Sequence, residues 1–143
     1  MQKLFSFVAD LCHKHLSVQY HWKDKIILIV EDSETVNMYF EAALRKTEAK
    51  LLWATNGQQA IDLCTENNGI SLVLMDLQLP KVDGYIATKE IRKIRKDLPI
   101  IAQTAHILEN AREASFNAGC NDFITKPIRL AVLLSIINKH INH

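Results

Sequence analysis

Short apolar runs recur along the chain at 26–30, 51–54, 72–75, 100–102 and 123–124. The first four are continuous rather than alternating. A continuous apolar strand is buried on both faces, as in a parallel sheet covered by helices. The fifth run is short and takes its assignment from its place in the series. The runs begin 25, 21, 28 and 23 residues apart. Each interval fits one strand, one helix and two short loops, the repeat of a βαβ chain.

Between the runs, apolar residues fall at helical spacing. Val36, Phe40, Ala43 and Leu44 share one face. Gly57, Ala60, Ile61 and Cys64 share a second, and Ala87, Ile91 and Ile94 a third. Leu108, Ala111, Ser115 and Ala118 make a fourth stripe, and Leu130, Leu133, Leu134, Ile137 and Ile141 a fifth. Each stripe is expected to pack on the sheet. Gly119 stands where a helix should end. Pro80 and Gly84 bracket a loop after the third strand. Five βα units over 24–143 predict an α/β, three-layer, doubly wound parallel sheet. Right-handed crossovers then carry every strand-to-helix loop to the C-terminal edge, where ligands bind in such folds. Residues 1–23 stand outside the repeat as an N-terminal extension or linker. Leu4, Val8 and Leu11 there have the spacing of one short amphipathic helix. Tyr20 and Trp22 are expected to cover an edge or anchor the start of the first strand.

Composition narrows the function classes. The chain has 143 residues, 48% hydrophobic and 23% charged, which fits one globular domain with a short extension. Lys plus Arg is 17 against 16 for Asp plus Glu. That balance lacks the basic excess of a protein that neutralises nucleic-acid phosphates. Cys12, Cys64 and Cys120 are odd in number and not at metal-ligand spacing, so they read as reduced thiols of a cytoplasmic protein. No apolar run approaches the roughly 20 residues that span a bilayer, and no signal-peptide pattern opens the chain. His13, His15 and His21 are not spaced for one helix face, which disfavours a metal site. Arg92, Lys93, Arg95 and Lys96 end the third helix and read as a solvated, dipole-favoured face.

The polar residues that follow the strands carry the chemistry. Glu31 and Asp32 follow the first, Asp76 the third, Thr104 the fourth and Lys126 the fifth. They are far apart in sequence, yet the inferred fold gathers them on one rim. Carboxylates held together repel, and a cation among them favours their charged forms. An all-oxygen ligand set suits Mg²⁺, with Mn²⁺ as an alternative. Carboxylate, metal, lysine and hydroxyl are the parts needed to receive a phosphoryl group, with the carboxylate as nucleophile.

These residues resemble the receiver domain of two-component response regulators, over about 24–143. The resemblance rests on Glu31-Asp32 after 26–30, on Asp76-Leu77-Gln78-Leu79-Pro80 with Asp83-Gly84, on Thr104-Ala105, and on Phe123-Ile124-Thr125-Lys126-Pro127. Asn37, Ala118-Gly119 and Lys126-Pro127-Ile128 resemble the receivers of hybrid histidine kinases in particular. The resemblance implies a flavodoxin-like (βα)5 fold with strand order 2-1-3-4-5. It implies Asp76 as phosphoacceptor, and Asp32, Glu31 (through water), Asp76 and the backbone carbonyl of Gln78 as the Mg²⁺ site. Thr104 and Lys126 would contact the phosphoryl group. Thr104 and Phe123 would be the switch pair, and a cis bond is expected before Pro127. Gln78 and His106 occupy positions that influence phosphate lifetime. The implied function is a phosphorelay switch rather than a turnover enzyme, catalysing only its own phosphorylation and dephosphorylation. It would be a stand-alone regulator or the cytoplasmic receiver portion of a hybrid sensor kinase. The implied partners are a histidine kinase or a histidine phosphotransfer protein, with a homodimer open on activation. Direct nucleic-acid or membrane contact is not expected. Ile107, Leu108, Arg112 and the exposed side of 129–141 form the family's output face. An aspartate-nucleophile phosphohydrolase is disfavoured because Gln78 stands where such an enzyme needs a second acid. A flavin site is disfavoured because Glu31 and Asp32 would repel a phosphate. A pseudo-receiver that never becomes phosphorylated is the remaining alternative.

Overall fold

A computed structural model describes residues 19–105 and 109–142. The strands are β1 (Ile26–Val30), β2 (Lys50–Ala54), β3 (Ile70–Asp76), β4 (Ile100–Thr104) and β5 (Asp122–Thr125). The helices are α1 (Glu34–Leu44), α2 (Gly57–Glu66), α3 (Gly84–Ile94), α4 (Glu109–Ala118) and α5 (Leu130–Ile141). All strand pairs are parallel, in the order β2-β1-β3-β4-β5. Side-chain caps start three of the helices: Ser33 accepts from the Val36 N–H, Asn56 from Gln59 and Asp83 from Ile86. Each satisfies an N–H that has no partner within its helix.

Strand alternation splits the core in two. Leu28, Val30, Val73, Met75, Ile100 and Ala102 meet Ala60, Cys64, Ala87 and Ile91 of α2 and α3. Ile27, Ile29, Leu72, Leu74, Ile101 and Ile124 meet Phe40, Leu44, Leu133, Ile137 and Ile141 of α1 and α5. Trp22 joins this second core, stacked on Tyr20 at 5.2 Å, and its backbone N–H donates to the Thr47 carbonyl. The anchoring role expected of this pair is therefore met. The pattern expected at Leu4, Val8 and Leu11 lies outside the described residues, as do His13, His15, Cys12 and Leu108.

Three local expectations need correction. Trp53 of β2 is 38% exposed, because β2 is an edge strand and its run is not covered on both faces. Ile94, the last residue of α3, is 48% exposed and lines an open cavity with Leu98 and Pro99 rather than packing into the core. The basic cluster at the end of α3 is not uniformly solvated. The Arg92 guanidinium donates to the carbonyls of Arg95, Lys96, Leu98 and Gly119 and to Asn121 Oδ1. Arg95 likewise donates to the carbonyls of Asn67, Asn68 and Ile70. The flat fork of a guanidinium reaches several carbonyls at once, which an ammonium cannot do. Lys93 does stay in solvent, paired with Glu90.

Candidate functional site

The C-terminal edge of the sheet collects the polar residues that follow the strands. The backbone of each is held first. The Glu31 N–H donates to the Ala54 carbonyl at 3.0 Å, and the Leu77 N–H to the Gln103 carbonyl at 3.1 Å. The Lys126 N–H donates to the Thr104 carbonyl at 2.8 Å. The bond between Lys126 and Pro127 is cis, as expected. Gly84 lets α3 start hard against the end of β3: a Cβ there would stand 2.2 Å from the Asp76 carbonyl oxygen. Gly57 makes the same kind of approach to the Val82 carbonyl, at 2.2 Å.

The side chains then meet. One carboxylate oxygen each from Glu31, Asp32 and Asp76 lie within 4.8 Å of one another. Glu31 and Asp76 are buried and Asp32 is exposed, so the group opens to solvent on the Asp32 side. The Lys126 ammonium lies 3.0 Å from Glu31 Oε2 and 3.4 Å from Asp76 Oδ2. Asp76 Oδ1 accepts from the Gln78 N–H at 2.9 Å, and Glu31 Oε1 from the Ser33 N–H at 3.2 Å. Asn37 of α1 donates its Nδ2 to the Glu31 carbonyl at 3.2 Å. That support was visible in sequence only as a family mark. Thr104 is buried at the end of β4, and Phe123 is half-buried against the α2–α3 core. The Gln78 side chain is exposed at the rim. His106 and Ile107 lie outside the described residues.

Electrostatics follow from burial. Burial is the largest influence on Glu31 and pushes its pKa up; the Asp76 charge adds to this and Lys126 opposes it. Burial pulls Lys126 down, but its bond to Glu31 and the charges of Asp76 and Glu31 outweigh burial and leave it above its ordinary value. Two of the three carboxylates thus share one ammonium, and a further cation would relieve the set. All its donor atoms are hard oxygens, which fits Mg²⁺.

The response regulator receiver domain family matches residues 27–138. The chain belongs to this family. Its architecture of five parallel strands in order 2-1-3-4-5 is the flavodoxin-like fold of the receivers it resembles. One solved relative is the receiver domain of sensor histidine kinase PA1611 from Pseudomonas aeruginosa, 36% identical with a TM-score of 0.77. The match covers 83% of this chain and 98% of that one, and that structure has a magnesium ion coordinated in its active site cleft. A second is the receiver domain of Ssk1 from Saccharomyces cerevisiae, crystallised with the histidine phosphotransfer protein Ypd1. It is 32% identical with a TM-score of 0.78, over 83% of this chain and 90% of that one. The sensor histidine kinase CheAY of Helicobacter pylori is 31% identical over 121 residues. That match takes in 82% of this chain but only 15% of the kinase. The receiver is therefore a phosphorelay module, and the chain spans a small part of that relative. No helix among the described residues is long and apolar enough to cross a membrane.

Proposed function

We propose that Asp76 is the phosphoacceptor of this receiver, taking a phosphoryl group from a phosphohistidine. The observation that supports this most directly is the ammonium of Lys126, held between Asp76 Oδ2 and Glu31 Oε2 at the edge of a three-carboxylate group. In the transfer an Asp76 oxygen bonds to phosphorus. The phosphorus–nitrogen bond breaks, and its electron pair returns to the imidazole of the donor. Lys126 moves with the charge onto the phosphoryl oxygens, and the Thr104 hydroxyl donates to another of them. Asp32, Asp76, the Gln78 carbonyl and, through water, Glu31 would hold the Mg²⁺, with Mn²⁺ as a second hard cation that suits the same donors. When bound, Mg²⁺ supplies positive charge against the charge that builds on the phosphoryl oxygens. Thr104 and Phe123 form the switch, and Gln78 with His106 screens the phosphate from water and sets its lifetime. The chain catalyses its own phosphorylation and dephosphorylation and does not turn over a substrate. Its partners are a histidine kinase or a histidine phosphotransfer protein, and its place is the cytoplasm, alone or as the receiver part of a hybrid kinase.

Intact mass after incubation with acetyl phosphate tests this. Wild type should gain one phosphoryl group with Mg²⁺ and none without it, and Asp76→Asn should gain none. A gain in Asp76→Asn, or no gain in folded wild type with Mg²⁺, would overturn the assignment.

A further inference from the structure

Gln103 is a buried polar residue that neither packing nor hydrogen bonding accounts for in the unphosphorylated fold. It is 1% exposed, and among the described residues neither its Nε2 nor its Oε1 has a protein hydrogen-bond partner. A buried carboxamide without partners is costly, and Leu or Met would fill the same space without that cost.

Its place is specific. The register sets Asp76 beside Gln103 on β4, and Gln103 beside Ile124 on β5. Strand alternation puts it on the α1–α5 side, two residues after Ile101, as Asp76 follows Leu74 and Lys126 follows Ile124. Sheet order puts β4 between β5 and β3. Lys126 starts from the end of β5 and reaches Asp76 on β3 and Glu31 beyond β1. Its side chain therefore passes the C-terminal end of β4, one alternation beyond Gln103 and on the same side of the sheet. The backbone links are as direct. The Gln103 carbonyl accepts from Leu77, the residue after the acceptor, and the Thr104 carbonyl accepts from Lys126.

We infer that Gln103 is a positioning residue of the acceptor site, its Oε1 accepting from the Lys126 ammonium once Asp76 is phosphorylated. The inference rests on Asp76 being the acceptor. An ammonium has three N–H donors and no acceptor. In the resting state it is directed at two carboxylates. Phosphorylation turns the Asp76 carboxylate into an acyl phosphate and draws Lys126 toward the phosphoryl oxygens. A neutral acceptor on β4 then fixes the ammonium without adding negative charge beside the phosphate. A carboxylate there would repel it, and an apolar residue would leave the ammonium unanchored.

The test is Gln103→Met, with Gln103→Leu in parallel. Each is titrated with beryllofluoride, a phosphoryl mimic, in the presence of Mg²⁺, and thermal stability is followed. Without ligand, the variants should melt at or above the wild-type temperature, because an unpartnered amide has been removed. With ligand, half-maximal stabilisation should need about tenfold more beryllofluoride, the effect of one lost hydrogen bond to a charged group. Acyl phosphate formed from acetyl phosphate should build up more slowly by mass. A purely structural residue gives the reverse: a lower resting melting temperature with the same half-saturation. Wild-type half-saturation in the folded variants overturns the inference. Failure of wild type to take up a phosphoryl group, or uptake by Asp76→Asn, would instead strike at the acceptor assignment.

Discussion

Glu31 and Lys126 have opposite responses to the same burial. Glu31 is held above its ordinary pKa of 4.5, with burial as the largest cause. A carboxyl with a raised folded pKa favours the folded state while it is protonated. That contribution is complete below 4.5 and is lost as pH rises through the folded value. Metal-free wild type should therefore lose melting temperature over that window, Glu31→Gln should lose less, and Mg²⁺ should restore wild type above it. Parallel melting curves for the two proteins would dismiss this account. Lys126 is raised despite its burial, so it stays charged well into alkaline pH and its stabilising pairs fail only above its ordinary value of 10.5. Lys126→Ala should still accept a phosphoryl group by intact mass yet lose its partner response, because the charge that couples Asp76 to β5 is gone. A normal partner response would remove Lys126 from the coupling.

At the scale of elements, the loops are held by backbone approach and by side chains that return to carbonyls. Arg92 ties the end of α3 to the Gly119 carbonyl, and Gly119 has φ +114°, the left-handed turn that ends α4. Arg92→Lys keeps the charge but loses the fork. It should cost about 2–4 kcal/mol in urea unfolding, from several charge-assisted bonds to backbone. A loss under half a kcal/mol, the range of an ordinary surface change, would mean that α3 is held by its apolar face alone. Gly84→Ala should destabilise and slow phosphorylation together, since its Cβ collides with the carbonyl of Asp76, the proposed acceptor. The periodicity of α3 marked Ala87 and Ile91 correctly and Ile94 wrongly. Helical spacing shows which residues share a face but not where the packing against that face stops.

At the scale of the whole molecule, one parallel sheet holds two separate cores and one polar rim. Trp22 lies in the α1–α5 core although it precedes the first βα unit. Trp22→Ala should cost about 3–5 kcal/mol, as for truncation of a buried large aromatic. A chain that starts at residue 24 should melt near that variant rather than near wild type. If both melt like wild type, the packed unit starts at β1, and 1–23 is linker throughout.

By itself the sequence determined the element order, the parallel sheet and the residues that meet at its edge. Those are local facts: continuous apolar runs, 3.6-residue stripes, and a polar residue directly after a strand. Glu31, Asp76, Thr104 and Lys126 were legible because each stands at a strand end, and strand ends converge in any doubly wound sheet. Tertiary structure decided what depends on neighbours remote in sequence. Trp53 is exposed because β2 happens to be an edge. Arg92 is a clamp because Gly119 and Asn121 lie under α3, not because of its place in a basic run. Gln103 stands just past the apolar run 100–102 and carried no signal in sequence; register set it beside Asp76, on the same side of the sheet as Lys126. A one-dimensional pattern records which side of an element a residue takes. Only packing records what stands opposite, and hydrogen bonding, burial and charge are all properties of what stands opposite.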